Sequence, residues 1–159
     1  MTRIELTTRI VAPRELCFDL ARSVELHTRS TARSGEVAVG GRTTGLLVLG
    51  DEVTWRAKHF GVSQTLTSRI TAYDRPIYFR DSMVRGAFAY LHHDHHFLES
   101  GNETDMRDVF EFGAPLGVLG WLAERLVLHS YLLRLLEERN REIKAVAESD
   151  IWRQFVPAV

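Results

Sequence analysis

Between residues 51 and 112 apolar side chains recur at every second position, and after Pro115 they recur at every third or fourth. A period of two marks a strand with one buried face; a period near 3.6 marks an amphipathic helix. Asp51–Phe60 places Val53, Trp55, Ala57 and His59 on one face, with Glu52, Thr54, Arg56 and Lys58 opposite. Gly61 turns the chain, and Val62–Tyr73 follows with Val62, Gln64, Leu66, Ser68 and Ile70 on one face. After the Asp74-Arg75-Pro76 turn, Ile77–Met83 directs Ile77, Phe79, Asp81 and Met83 inward. Ala87–Leu98 and Thr104–Phe112 form a hairpin across Ser100-Gly101-Asn102. Consecutive strands with tight turns predict an antiparallel meander.

The flanks complete the pattern. Ile4–Val11 alternates loosely and is β-branched, which predicts a first strand. Pro13 sits where a helix can start without losing a hydrogen bond, and Leu16, Cys17, Leu20 and Ala21 follow at helical spacing. Ser23 caps a second short helix through His27. Gly35, Gly40, Gly41, Gly45 and Gly50 punctuate short β-type runs. Beyond Pro115, Leu119, Leu122, Leu126, Leu133, Leu136 and Ile143 form a helical stripe reaching Ala147, with residues 137–142 as its solvated end. Trp121, Leu128, Tyr131, Leu132 and Leu135 lie off that stripe. The order predicts an α+β fold over residues 1–150, with 151–159 as a tail. About seven curved antiparallel strands should wrap the C-terminal helix, the long amphipathic element available to cover the sheet.

Composition narrows the picture. A chain of 159 residues can bury a real core without disulfides or a structural metal. Hydrophobic residues at 45% and charged residues at 26% are a globular balance. The net charge of −1 and the scattered arginines argue against nucleic acid as a partner. A lone cysteine, Cys17, neither staples the fold nor supplies a zinc quartet, and it suits a reducing cytoplasm. Met1-Thr2-Arg3-Ile4-Glu5 has no signal-peptide core. The apolar stretch Ala114–Leu136 is interrupted by Glu124, Arg125, His129 and Arg134, so no integral membrane segment is expected.

The element order resembles the helix-grip superfamily of START domains, plant pathogenesis-related proteins and polyketide cyclases, abbreviated SRPBCC. The likeness runs from Ile4 to about Glu148. Its most similar text to small bacterial stand-alone members is 19–27 (Asp-Leu-Ala-Arg-Ser-Val-Glu-Leu-His), Val53-Thr54-Trp55-Arg56-Ala57, Phe79-Arg80-Asp81, His93-Asp94-His95-His96-Phe97 and the helix opening Pro115-Leu116-Gly117. The resemblance implies a cavity between sheet and long helix for apolar or amphipathic small molecules. It carries over no catalytic residue and constrains function poorly.

Alternation supplies an independent handle. It turns His59, Gln64, Ser68, Asp81, His93, His95 and Asp108 inward, among Trp55, Phe79, Leu91, Phe110 and the helix positions Leu119, Leu122 and Leu126. These residues are the expected cavity wall. An unpaired buried polar group costs roughly 1–3 kcal/mol, so the set predicts either a wet cavity or a paired network. Hairpin counting brings Asp108 opposite His93 or His95 and Asp81 near Ser68, subject to register. Three roles fit His93, His95 and Asp108: a structural hydrogen bond, recognition of a ligand's polar end, and general acid–base chemistry. A His-x-His strand pair with a carboxylate can also form a facial metal triad. The resemblance gives that role no support, and neither metal nor cofactor is expected. Arg80 and His27 should face solvent, and Cys17 should be a small buried hydrophobe. No phosphate loop, Gly-x-Ser-x-Gly elbow or Cys–His nucleophile pair occurs. The expected function is binding of a hydrophobic or amphipathic small molecule: a lipid, aromatic or polyketide-like compound. The alternatives are a cyclase or dehydratase using a cavity His or Asp, and a partner-binding module whose apolar helix face could also form a homodimer.

Overall fold

Seven strands form one antiparallel sheet in a computed structural model that describes residues 1–115, 117, 119, 122 and 124–157. They are β1 (Thr2–Ile10), β2 (Val37–Gly41), β3 (Glu52–His59), β4 (Val62–Asp74), β5 (Tyr78–Arg85), β6 (Tyr90–Ser100) and β7 (Glu103–Gly113). Spatial order is β1-β7-β6-β5-β4-β3-β2, so only β1 leaves its sequence neighbour to pair with the last strand. Bulges interrupt the ladder: β2 carries an extra residue between Ala38 and Gly40, β4 one between Ile70 and Ala72, and β5 one between Met83 and Arg85. An extra residue bends its strand, which curves the sheet into a grip.

The connection from β1 to β2 holds α1 (Arg14–Ala21) and α2 (Val24–Ser30). Pro13 precedes α1, and the Ser23 hydroxyl accepts the Leu26 amide at the start of α2. The long helix α3 (His129–Ala147) follows a π-helical turn at Glu124–Leu128. Its buried stripe is Leu136, Arg139, Asn140, Ile143, Val146 and Ala147. Ile10, Phe18, Leu20, Leu26, Phe97, Met106 and Ile143 pack one end of the interior solid, while Ile4, Leu91, Phe110, Phe112 and Leu136 form a second cluster.

Several expectations need correction. Leu119, Leu122 and Leu126 are exposed by 77%, 48% and 69%, not turned into the sheet. A π-helical turn carries an extra residue, so the face before it is rotated out of phase with the stripe after it. Residues 137–142 are not uniformly solvated, because Arg139 and Asn140 are buried one turn beyond Leu136. Ile77 belongs to the turn, donating its amide to the Asp74 carbonyl, and is exposed. The turn between β4 and β5 takes up residues 75–77, so Asp74 pairs with Tyr78, Asp81 lies opposite Ile70 and Ser68 opposite Met83, and the expected Asp81–Ser68 pairing is shifted. β6 starts at Tyr90 rather than Ala87. The expected tail folds back as a 3-10 turn (Asp150–Gln154), and Val156 joins the core with Trp152 and Phe155 against it. Trp121 and Leu116 lie outside the described residues. Among the described residues no helix is long and apolar enough to cross a membrane.

Candidate functional site

Between α3 and the concave face of the sheet lies a cavity of about 200 Å³. Its apolar wall comes from Leu66 and Ile70 of β4, Phe79 of β5, Leu91 of β6, Phe110 of β7, and Leu132, Leu135 and Leu136 of α3. Of the sequence-predicted residues, Trp55, His59, Gln64, Ser68, Phe79, Asp81, Leu91, His93, His95 and Phe110 line it. Asp108 stands behind the histidines, with 1% of its side chain accessible. Leu119, Leu122 and Leu126 are not in the wall.

One end of the cavity is charged. Alternation brings His93 and His95 to the same face of β6, their ring centroids 3.7 Å apart. His93 Nε2 is 2.7 Å from Asp108 Oδ1, and His95 Nε2 is 2.8 Å from Asp81 Oδ2. His95 Nδ1 lies 3.1 Å from Asp108 Oδ1, but off the line that a hydrogen bond needs. Phe79 stacks on the His95 ring at 4.1 Å and fixes its plane. Behind them Asn140 donates to Asp108 Oδ2 at 2.6 Å and to Thr8 Oγ1 at 3.2 Å. Arg139 donates to Asn140 at 3.0 Å and to the Ala21 carbonyl at 3.3 Å, with Asp108 at 3.5 Å.

These contacts decide the charges. Burial would raise the Asp108 carboxyl, but the His93 hydrogen bond, the His95 ring 3.1 Å away and the Arg139 charge outweigh it and hold it well below the usual carboxylate range. Asp81 is lowered against the same opposing burial, chiefly by the His95 hydrogen bond. Its side chain is 23% accessible although the residue is deep in the fold, because that surface faces the cavity rather than bulk solvent. Burial pushes His93 down to about 4, helped by the neighbouring His95 charge. His95 is raised despite its burial, since it lies between the Asp108 and Asp81 carboxylates.

A second polar group rims the cavity near α2. His27 Nε2 is 3.2 Å from Glu36 Oε1 and its ring packs on Trp55 at 4.1 Å. His59 Nδ1 is 2.6 Å from the Tyr131 hydroxyl. Burial raises the Glu36 carboxyl, but the charge and hydrogen bond of His27 leave it below its ordinary value. His27 was expected at the surface; instead it is half-buried and lines the cavity. Sequence reasoning also missed Arg139 and Glu36. Arg139 was detectable, lying three residues beyond Leu136 and four before Ile143, hence on their stripe. Glu36 sits in an irregular segment where no periodicity operates.

The opposite face of β6 is separate. Asp94 accepts Arg80 through two bonds of 2.7 and 2.8 Å and the Tyr78 hydroxyl at 2.5 Å. His92 Nδ1 meets Ser82 Oγ at 2.9 Å, and His96 stacks on Tyr78.

No family model and no curated protein matches the chain by sequence. Solved structures do match. An aromatase/cyclase from Streptomyces sp. R1128 superposes with a TM-score of 0.74 at 14% identity, over 98% of this chain and 96% of that one. This is the helix-grip fold. A START superfamily protein from Mycobacterium smegmatis matches at a TM-score of 0.67 and 12% identity, over 92% and 97% of the two chains. A ginseng major latex-like protein from Panax ginseng matches at 0.68 and 16%, over 93% and 98%. Identities this low establish the helix-grip fold alone, so the chemistry must be argued from the cavity.

Proposed function

We propose that this helix-grip protein binds a small, mostly apolar molecule of one or two aromatic rings, with a hydroxyl or carbonyl directed at His93, His95 and Asp81. The observation that carries this reading is the cavity's construction: an apolar wall closed at one end by charged side chains. Size decides among the ligand classes. A cavity of about 150 Å³ accommodates benzene, and drug-sized ligands occupy about 300–1,000 Å³. At about 200 Å³ the cavity favours a compact aromatic over a long acyl chain or a full-length polyketide. Its single thiol, Cys17, is buried and its proton is held up to about 11 by burial, which suits a reducing cytoplasm.

Titration calorimetry with 2-naphthol and with palmitate tests this. The expected result is one naphthol per chain and no heat from palmitate. Ala57 lines the cavity, so Ala57→Phe should fill it and abolish naphthol binding at a stability cost of about 1–3 kcal/mol. Naphthol binding that survives Ala57→Phe, or preferential binding of palmitate, contradicts the proposal.

A second reading is favoured by the contact between His93 and His95: proton transfer to or from a bound carbonyl compound, as in a cyclase or dehydratase. On that reading His93→Asn keeps naphthol affinity within a few-fold yet abolishes turnover of any substrate found. On the carrier reading there is no turnover to lose.

A further inference from the structure

The histidines and acids at the charged end pose a problem of proton counting. His95 stands between two carboxylates, with Nε2 2.8 Å from Asp81 and Nδ1 3.1 Å from Asp108. A neutral imidazole has one N–H and one lone pair, so it can serve one of these acids and must aim its lone pair at the other. With the N–H on Nε2 toward Asp81, Nδ1 is a buried nitrogen with no hydrogen-bond partner. Two states remove the conflict. In one the ring carries a second proton. In the other a cation replaces the proton between Nε2 and Asp81, and the N–H moves to Nδ1 to face Asp108.

The surroundings favour the second state. One side-chain donor atom each from Asp81, His93 and His95 lies within 4.8 Å of the other two. Asp108 engages Nε2 of His93, leaving His93 Nδ1 for a ligand. One carboxylate would thus orient both imidazoles from behind, the arrangement by which metal-bound histidines are held in the correct tautomer. Asn140 donates to the other oxygen of Asp108, so this acid is itself held in place. Asp81 sits apart from the Asp108 layer and faces the cavity. The carboxylate singled out by hairpin counting, Asp108, is therefore the supporting group, and Asp81 is the one placed to ligate.

We propose that Asp81, His93 and His95 form a site for one divalent transition-metal ion, with its open coordination positions facing the cavity. Two nitrogens and one oxygen suit zinc, cobalt(II) or iron(II) better than magnesium or calcium. Bonds of about 2.0–2.1 Å place tetrahedral ligands roughly 3.3 Å apart, so the three side chains close inward by roughly an ångström on binding. The charge balance permits it: two carboxylates, Asp81 and Asp108, stand against one guanidinium, Arg139, which approaches Asp108 Oδ1 at 3.5 Å and also borders the cavity. A metal here would polarise a ligand oxygen at the end of the cavity. The inference stands on side-chain geometry and does not depend on whether an aromatic ligand binds.

The test uses the full chain, stripped with a chelator and titrated with Zn2+ and Co2+ in the absence of organic ligand. Wild-type protein should bind one Zn2+ per chain by calorimetry and develop the visible absorption of Co2+ held by nitrogen ligands. Asp81→Asn should weaken Zn2+ by a hundredfold or more, and Asp108→Asn by about 10–100-fold. The outward His92→Ala and His96→Ala should change nothing. If wild-type protein binds neither ion, or if Asp81→Asn binds both as well as wild type, the proposal is overturned. Because the wild-type titration is decisive by itself, a misfolded variant cannot protect it.

Discussion

Alternate residues of β6 meet different chemistry on its two faces. Outward, Asp94 is saturated: Arg80 grips both of its oxygens and Tyr78 donates a third bond. Inward, Asp108 is just as fully engaged, but its partner His93 uses one ring nitrogen on it and borders a cavity, as does Asp81 beyond His95. The outer network is closed and the inner one is open. A closed network holds strands together. An open one, bordered by apolar wall, is equipped to receive something. Sequence alternation separates the two faces, yet both read as His-and-Asp text until the partners are known.

The largest expected difference between the faces is energetic. Asp108→Ala leaves Arg139 and two imidazoles in the interior without their carboxylate, a loss of about 3–5 kcal/mol in denaturant unfolding. Asp94→Ala should cost about 1–2 kcal/mol, because Arg80 is partly exposed and regains water. Equal losses would mean that the outer network is as much a part of the core as the inner one.

Acid should then act through the inner face. His93 is pushed down to about 4 in the folded protein, against an unfolded value of about 6.5. A depressed folded value gives stability that is present above about pH 6.5 and is lost as pH falls toward about 4. Asp108 and Asp81 are depressed as well and extend the loss further into acid. His95 is raised, so its contribution has the opposite sign: present below about pH 6.5 and lost as pH rises through the folded value. Denaturation of chelator-treated protein at a series of pH values should show stability falling from about pH 6.5 toward pH 4. His93→Asn should flatten that limb; an unchanged limb would place the responsible group elsewhere.

The smallest effect belongs to the outer histidines. His92→Ala should shift stability by no more than about 1 kcal/mol, because its bond to Ser82 lies in a partly solvated setting, and it should leave naphthol affinity unchanged. A loss of naphthol binding would join the two faces functionally and break the contrast between them.

Much of this was legible in the chain. Strict alternation over β3 to β7 placed Trp55, Phe79, His93, His95 and Asp108 inside, because register is strongly specified where one face is buried. What escaped had identifiable physical causes. A turn that runs on to Tyr78 moved Asp81 away from Ser68, because hydrophobic alternation does not specify where a turn closes. A π-helical turn put Leu119, Leu122 and Leu126 out of phase with Leu136 and Ile143, although their spacing in sequence looked continuous. Arg139 and Asn140 sit among Glu137, Glu138, Arg141 and Glu142, which suggests a solvated end, yet their spacing from Leu136 is the better guide. Polarity described the neighbourhood, whereas phase determined the burial.

On the proposed reading, the inner face of β6 borders a cavity that holds a compact aromatic molecule. Intermolecular proton contacts measured by NMR on the complex with 2-naphthol address it directly. The expected contacts run from the naphthol rings to the methyl groups of Leu66, Leu91 and Leu136, and from the hydroxyl-bearing edge to the His93 ring. Contacts confined to the exposed side chains of Leu119, Leu122 and Leu126 would contradict it.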